Sequence, residues 1–142
     1  MSLSILPMTK EFLRSNIEEF LKVDEVIGRD FWIIDNFLVE LPEKWELSFM
    51  ALNGGLLVGF LIASRKITSI HIHRLAVRSQ WQSKGIGETL IRRLFEETRY
   101  AHLPITLKVD THNARAVSFY IRLGFSVVHQ DNDRTEMKRL RQ

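Results

Sequence analysis

The stretch TSIHIHRLAVRSQWQSKGIGETLIRRL, residues 68–94, carries the pattern that decides the fold. Its first ten residues alternate between apolar and polar side chains, which is typical of a half-buried strand. Its last eight residues place apolar side chains on one face of an amphipathic helix. A turn with two glycines joins them, and backbone N–H groups left unpaired at the start of a helix bind anions. The stretch therefore predicts a strand, a phosphate-binding turn and a helix.

The turn itself, which we call the glycine turn, consists of Gln82, Ser83, Lys84, Gly85, Ile86 and Gly87. Because Gly85 and Gly87 lack a Cβ atom, a phosphate oxygen can approach the main chain, and Lys84 adds positive charge. The turn lacks the Gly-Lys-Ser/Thr ending of a nucleoside-triphosphate loop and the three-glycine spacing of a dinucleotide fold. On spacing alone, a tight structural connection explains it equally well.

Length and composition limit the classes of protein to consider. With 142 residues, 45% of them apolar, the chain is expected to form one domain over residues 1–142. The absence of cysteine excludes a thiol nucleophile and a thiolate zinc site, and it fits a cytoplasmic protein. The longest apolar run, residues 55–63, is much shorter than the roughly 20 residues that a membrane span needs. We expect no membrane association.

The net charge is +3, and apart from the last few residues the basic side chains are dispersed along the chain. An anionic partner is compatible with this charge, but nucleic acid is the weaker interpretation because no basic stripe is present. A nucleic-acid-binding domain would show binding that depends steeply on salt.

The first half of the chain predicts a strand at residues 4–8 and a helix at 10–23 with Thr9 as its N-cap. Gly28 and Pro42 interrupt residues 24–42, which favours one short helix with loops around it. Residues 45–52 and 56–65 predict two antiparallel strands, because Asn53, Gly54 and Gly55 between them accept the positive φ angles of a hairpin turn.

The second half predicts a strand at 70–77, a helix at 87–100 and a strand at 105–110. A crossover helix between two strands makes them parallel. A helix at 114–123, capped by Asn113 and closed by Gly124, precedes a hairpin of strands 125–129 and 135–140. The predicted class is α/β, with a mixed sheet of about seven strands and helices on both faces.

Two motifs resemble a known family. Leu75-Ala76-Val77 followed by Gln82 to Gly87 looks like the Gln/Arg-x-x-Gly-x-Gly/Ala acetyl-CoA signature of the GNAT N-acetyltransferase superfamily. The sequence NARAVSFYIRLGF at 113–125 is similar to the second signature of that superfamily, Asn-x-x-Ala-x-x-Phe-Tyr-x-x-x-Gly-Phe. The resemblance implies the GNAT fold, in which coenzyme A binds where the fourth and fifth strands splay.

The resemblance also implies how acetyl-CoA would bind and react. The amides of the glycine turn would bind the pyrophosphate, and the strand edge at Leu75, Ala76 and Val77 would pair with the pantetheine. An N–H near Ala76 or Val77 would polarise the acetyl carbonyl. On the next helix, the residues implied for the same cleft are Asn113, Ala116 and Phe119. Tyr120 would protonate the leaving thiolate, although by spacing alone it is a core aromatic.

His71 and His73 lie two residues apart on the predicted strand, so their side chains point to one face together with Leu75. A neutral imidazole can accept a proton from an amine, whereas an exposed structural pair is the alternative. The run HIHRLAV resembles the His-x-His-x-Leu-Ala-Val run of the arylalkylamine N-acetyltransferase branch, in which both histidines deprotonate the amine. His71 also falls where histone-type enzymes place a glutamate base. No third ligand is spaced nearby, so we expect no metal.

The acceptor side carries weaker signals. Phe31 and Trp32 are candidate substrate contacts in an aromatic region, and core packing is the alternative. Ribosomal-protein N-terminal acetyltransferases tend to place a glutamate where this chain has Lys108, which lowers the expectation of a protein N-terminus as acceptor. Asp110 is either a reserve base or a turn residue.

The expected function is direct transfer of an acetyl group from acetyl-CoA to a primary amine of a small molecule. The alternative within enzymes is a protein or peptide N-acetyltransferase. Outside enzymes, the alternative is a non-catalytic acyl-CoA-binding regulatory module. We also consider assembly as a homodimer.

Overall fold

The computed structural model describes residues 2–140, which fold into a seven-stranded mixed sheet with helices on both faces. The strands are β1 Leu3–Pro7, β2 Phe49–Asn53, β3 Leu56–Arg65, β4 Ile70–Val77, β5 Ile105–Asp110, β6 Ser126–Gln130 and β7 Arg134–Arg139. The helices are α1 Lys10–Ser15, α2 Ile17–Asp24, α3 Ile34–Leu38, α4 Lys44–Leu47, α5 Ile86–Phe95 and α6 Ala114–Arg122. The spatial strand order is β1-β2-β3-β4-β5-β7-β6. The predicted α/β class is confirmed.

The parallel pair β4 and β5 forms the opening that positions the site. The two strands pair only where Ile70, His71 and Ile72 face Ile105, Thr106 and Leu107. Both strands continue beyond that point, β4 to Val77 and β5 to Asp110. Since the pairing stops while the strands go on, they splay apart and leave main-chain groups unpaired. We call the space between residues 73–77 and 108–110 the cleft.

Each face of the sheet carries its own apolar core. On one face, α5 packs through Leu90, Ile91 and Leu94. On the other face, α1, α2 and α3 contribute Leu13, Phe20, Val23 and Phe37. Burial of these side chains holds the helices on the sheet and stabilises the frame around the cleft.

A β-bulge in β4 changes which residues share a face. Arg74 pairs with Ile62 and Ile72 pairs with Ala63, so His73 is an additional residue in β4. After the bulge, Leu75 packs against the α5 core, whereas Ala76 packs against the α2 core. The prediction that Leu75 shares a face with both histidines is therefore wrong.

The predicted first helix is divided at Asn16. Thr9 caps its start as predicted, since its hydroxyl accepts the N–H of Phe12 at 3.1 Å. Asn16 has φ −122°, and its side-chain amide donates to the Phe12 carbonyl at 2.9 Å. A side chain that competes for backbone groups ends α1 there, and α2 begins at Ile17.

Residues 45–47 are helical, so the predicted strand at 45–52 begins too early. Lys44 is buried, and its ammonium donates to the carbonyl oxygens of Phe37 and, at 2.7 Å, of Val39. The Trp45 indole N–H donates to Glu40 at 2.9 Å. These contacts with the preceding segment outweigh the β-propensity of the sequence, and β2 starts at Phe49.

Other boundaries follow the predictions more closely. Residues 24–42 contain a 3₁₀ turn at Glu25–Ile27 and the short helix α3, as expected. The helix α5 ends at Phe95, before the predicted residue 100, and Tyr100 adopts φ +60° in the turn that follows. None of the helices within residues 2–140 is long and apolar enough to cross a membrane.

Candidate active site

The glycine turn lies beyond the end of β4 and presents main-chain N–H groups at the start of α5. Ser83 and Gly85 adopt φ +64° and +81°. Alternation of such residues with right-handed ones turns successive N–H groups toward one concave surface. The Thr89 N–H donates to the Gly85 carbonyl at 3.0 Å, which closes the first helical turn. The N–H groups of residues 86–88 precede that bond and have no partner within the helix.

Packing does not require glycine at position 87. A Cβ atom there would lie 3.5 Å from Phe119 Cζ, an ordinary contact distance. The φ angle of Gly87 is also outside the left-handed region. The absence of a side chain at Gly87 leaves the main chain there more open to an approaching anion.

Arg115 joins the glycine turn from α6, and the sequence analysis did not identify it. Its guanidinium donates to the Ser83 hydroxyl at 2.9 Å across 32 residues of sequence. With Lys84 it adds a second positive charge beside the open N–H groups. Gln82 fastens the turn to the sheet, since its amide donates to the Val77 carbonyl at 3.0 Å. These groups suit a pyrophosphate.

The helix α6 begins directly beyond the end of β5, beside the cleft. Asn113 is its N-cap, with Oδ1 accepting the Ala116 N–H at 3.0 Å. Within residues 2–140 nothing accepts a hydrogen bond from the Asn113 side-chain N–H groups, so they are available to a ligand. Phe119 packs against the start of α5 at Gly87. Of the predicted coenzyme contacts, those in the glycine turn and those on α6 are thus brought together.

Tyr120 lies in an aromatic setting with its hydroxyl unpaired. Its ring packs edge-on against Phe119 and Phe125, with centroid distances of 5.1 and 5.7 Å. The hydroxyl makes no hydrogen bond to any group in residues 2–140. Burial raises the pKa of the Tyr120 phenol above its ordinary value. The phenol therefore keeps its proton at neutral pH, as a general acid must.

His71 and His73 lie side by side on β4 and are anchored to different strands. His71 Nδ1 is 2.8 Å from the Thr106 hydroxyl on β5. His73 Nε2 is 2.6 Å from the Ser64 hydroxyl on β3. The two rings meet edge to face with centroids 4.9 Å apart. Both rings lie on one face of β4, and the bulge at His73 moves Leu75 to the other face.

Both imidazoles are neutral at pH 7. Burial, together with the positive charges of Lys66 and Lys108, lowers the pKa of His71 to about 4. Burial and the neighbouring His71 lower the pKa of His73 to about 4. A neutral ring can accept a proton, but so low a pKa makes it a weak base. The pair is therefore suited to passing a proton onward.

The segment after α2 crosses over the cleft. The 3₁₀ turn Glu25–Ile27 lies against β4. Arg29 then forms an ion pair with Asp110 at the end of β5, and Asp30 forms one with Arg134 at the start of β7. We call these four residues the acceptor bridge. Its contacts join residues 81 and 104 positions apart, so no local pattern could have revealed it.

Trp32 and Phe31, the predicted substrate contacts, have different environments. Trp32 is half-buried, packs edge-on against Phe37 at 4.9 Å and lies 5.3 Å from the Arg74 guanidinium. The Arg74 guanidinium forms a buried two-point ion pair with the Asp24 carboxylate, at 2.7 Å from Nε to Oδ1 and 2.8 Å from Nη2 to Oδ2. Phe31 is 68% exposed and packs in neither core. Only Trp32 is fixed on the face that carries the histidines.

Two charged residues near the cleft are engaged with neighbours. Lys108 pairs with Glu136 on β7 at 3.5 Å. The Asp110 carboxylate accepts the His112 N–H at 3.0 Å, and that bond together with Arg29 lowers its pKa. Asp110 thus serves the turn and the acceptor bridge, and a carboxylate held in this way is a poor base.

A model of the acetyltransferase (GNAT) domain matches residues 35–140. This chain belongs to the GNAT acetyltransferase family. The GNAT chain is 30% identical over 112 residues to the N-alpha-acetyltransferase RimI of Mycobacterium tuberculosis, covering 76% of this chain and 70% of the relative. Its fold is similar to that of Ard1 from Thermoplasma volcanium, with TM-score 0.83, 20% identity and coverage of 100% and 99% of the two chains. It is also similar to the PaiA N-acetyltransferase of Thermoplasma acidophilum in complex with coenzyme A, with TM-score 0.76, 20% identity and 99% of each chain covered.

The GNAT chain is accordingly an acetyl-CoA-dependent N-acetyltransferase, and acetyl-CoA is its donor substrate. The predicted family, fold and enzyme class are confirmed. Within residues 2–140, no group of three or more histidine, aspartate or glutamate side chains is arranged to hold a metal ion.

Proposed function

We propose that this enzyme acetylates the primary amine of a small molecule that carries an apolar or aromatic substituent. The observation that carries the proposal is the acceptor bridge, which spans the cleft on the face where an amine must enter. An extended peptide would have to break both ion pairs to bind in the cleft, whereas a small amine could bind with both pairs intact. Trp32, fixed beside Arg74, offers the apolar contact for the substituent.

The donor half of the site explains how acetyl-CoA is held. The open N–H groups of the glycine turn, with Lys84 and Arg115, receive the pyrophosphate. The pantetheine lies along the unpaired edge of β4, and an N–H near Ala76 or Val77 stabilises the oxyanion. This places the thioester where β4 and β5 separate, between the histidine pair and α6.

The acetyl group then passes directly from the thioester to the amine without an acyl-enzyme. The ammonium form of the acceptor loses one proton to the histidine pair, and the neutral amine attacks the thioester carbonyl, forming the C–N bond. The tetrahedral oxyanion collapses, the C–S bond breaks and the leaving thiolate takes the Tyr120 proton, while the nitrogen releases its second proton, which restores the Tyr120 phenol. The products are an acetamide and coenzyme A. The chain has no cysteine to carry a covalent intermediate.

A second acceptor class is the α-amino group of a peptide. It is supported by the 30% identity to RimI, an N-alpha-acetyltransferase, over 76% of this chain. For this acceptor the bridge would open and its four charged residues would contact the peptide. Assembly as a homodimer and a cytoplasmic location remain predictions, the first of which light scattering can check.

The test is coenzyme A release from acetyl-CoA with a panel of phenylalkylamines, alkylamines and short peptides with free N-termini. We expect turnover with apolar amines and at least about ten-fold lower kcat/KM with peptides. Turnover restricted to peptides would show that the acceptor is a peptide α-amino group and not a small-molecule amine. Tight binding of acetyl-CoA without turnover of any acceptor would indicate the regulatory module instead.

A further inference from the structure

Three lysines surround His71 on the face of the sheet that carries the histidines. Thr106 is the neighbour of His71 in the register of β4 and β5, and its hydroxyl contacts the ring, so both side chains point to that face. Lys138 is opposite Thr106 on β7, and Lys108 is two residues further along β5, so both lysines point to the same face. Lys66 lies in the turn between β3 and β4. We call Lys66, Lys108 and Lys138 the lysine group.

All three side chains of the lysine group are exposed. The core beneath α2 takes its sheet residues from β2, β3 and β4 and, within residues 2–140, none from β5 or β7. Lys108 pairs with Glu136 at 3.5 Å, and their side chains remain 56% and 37% exposed. In the part of the chain that the structure describes, Lys66 and Lys138 form no ion pair with a carboxylate. The lysine group is therefore accessible to a ligand.

The charge on this part of the face is positive. The lysine group contributes three ammonium groups, and Glu136 contributes one carboxylate. The acceptor bridge, further along the same face, adds no net charge because each of its ion pairs joins one cation to one anion. An anionic group bound beside the lysine group would therefore be stabilised, and a cation there would be repelled.

The positive charge also reaches the histidines. Burial lowers the pKa of His71 most, and the charges of Lys66 and Lys108 lower it further. These ammonium groups are thus close enough to act on a charged group bound beside the ring. A primary amine in water is mainly an ammonium ion at neutral pH, since its pKa is close to the value of about 10.4 for lysine. An acceptor with no charge other than its ammonium would therefore be repelled from this face.

We propose that the acceptor carries a carboxylate, which the lysine group binds while the amine lies in the cleft. The carboxylate offsets the repulsion of the ammonium group during binding, and the positive surroundings then favour loss of the amine proton. The inference rests on the proposed function, because it names the chemistry of that acceptor. The acceptor would be a zwitterion with an apolar part between its two charges.

The two charges of such an acceptor must be well separated. A strand rises about 3.3 Å per residue, so His71 lies roughly 15 Å along β4 from Ala76, near which the acetyl carbonyl is expected. The lysine side chains cover part of that distance. An α-amino acid, whose carboxylate is next to its amine, is too short for the remainder, whereas an aromatic ring between the two groups covers it.

The first test is binding to the protein in complex with coenzyme A, measured by isothermal titration calorimetry. The two probes are para-carboxyphenethylamine and its neutral isostere para-carbamoylphenethylamine. We expect the carboxy amine to bind about ten-fold more tightly at low ionic strength, and the difference to shrink at about 0.5 M salt because the charges are screened. Equal affinities, or tighter binding of the carbamoyl amine, would overturn the inference.

The second test is the ratio of kcat/KM for the carboxy amine to kcat/KM for the carbamoyl amine. A triple variant with glutamine at each position of the lysine group is expected to lower this ratio about ten-fold, and Glu136→Gln to raise it about two-fold. A merely structural role would not give opposite signs. Lys22→Gln is the control and should leave the ratio unchanged, since this exposed lysine lies on α2 and pairs with Glu19.

The two tests separate the inference from the proposed function. An unchanged ratio in the triple variant, with both amines acetylated, would overturn the inference and leave the proposed function in place. Tighter binding of the carboxy amine without turnover of either amine would support the carboxylate site and count against the proposed function.

Discussion

In the proposed function, the donor half of the cleft, which would bind acetyl-CoA, and the acceptor half, which would bind the amine, are built from different chemical groups. The donor half uses the main chain: open N–H groups at the start of α5, the unpaired edge of β4 and the turn conformations at Ser83 and Gly85. The acceptor half uses side chains from distant parts of the sequence, including the acceptor bridge and the anchored histidines. Donor binding should therefore respond to backbone conformation, and acceptor choice to individual charges and hydroxyls.

The largest effect is expected where the two halves meet, at Tyr120. Tyr120→Phe should lower kcat by roughly 100- to 10,000-fold, because the thiolate loses its proton donor, with little change in the KM for acetyl-CoA. Steady-state kinetics measures both constants. Tyr100→Phe is the matched control, since the Tyr100 hydroxyl donates a hydrogen bond to Glu43 at 3.1 Å and lies outside the cleft. Full turnover by Tyr120→Phe would remove Tyr120 from the mechanism.

The donor half should be sensitive to one φ angle. Gly85→Ala forces a side chain into φ +81°, at a cost of about 1 kcal/mol, and is expected to raise the KM for acetyl-CoA about ten-fold. Gly54→Ala, at φ +56° in the β2–β3 hairpin, carries a similar backbone cost. An added Cβ has open space at both positions. Equal effects of the two variants on KM would show that the turn does not bind the donor through its main chain.

The acceptor half should be sensitive to the ion pairs of the bridge. Removing Arg29 and Arg134 together by alanine is expected to raise the ratio of peptide to amine kcat/KM by about three- to ten-fold, because the barrier to an extended acceptor is removed. The stability loss should stay below about 1 kcal/mol, since both pairs are on the surface. Arg92→Ala is the control, as its exposed pair with Glu88 lies on α5. An unchanged ratio would contradict the proposed role of the bridge.

The smallest effect concerns stability below neutral pH. Both histidines have folded pKa values of about 4, against 6.5 when unfolded, so below pH 6.5 the unfolded chain binds protons that the folded chain does not. Stability is therefore lost as the pH falls from 6.5 to 4, by at most about 1.4 kcal/mol per unit for each histidine. Solvent screening at these half-buried rings reduces that figure.

Urea denaturation of the wild type and of the double variant His71→Gln, His73→Gln at pH 7 and pH 5 measures this loss. The variant should lose less stability than the wild type between the two values. Identical losses would show that the rings are not neutral in the folded protein.

The contrast between the halves also explains what could be predicted from sequence. The glycine turn, the Asn113 cap and the hairpin at Gly54 each depend on neighbouring residues, and the structure has all three. The bulge at His73, the Lys44 contacts and Arg115 beside Ser83 depend on partners that the fold brings together. A strict two-residue alternation predicts a regular β4, so it could not show that Leu75 leaves the face of the histidines.

The most direct measurement is a crystal structure with a bisubstrate analogue, in which coenzyme A is joined through its acetyl carbon to an apolar amine. Our account predicts the pyrophosphate on the N–H groups of the glycine turn and the linking carbon where β4 and β5 separate. The sulfur should lie within about 4 Å of the Tyr120 hydroxyl, and the amine nitrogen within reach of a ring nitrogen of His71 or His73, directly or through one water. An analogue bound with its linking carbon away from Tyr120 and from both histidines would contradict the account.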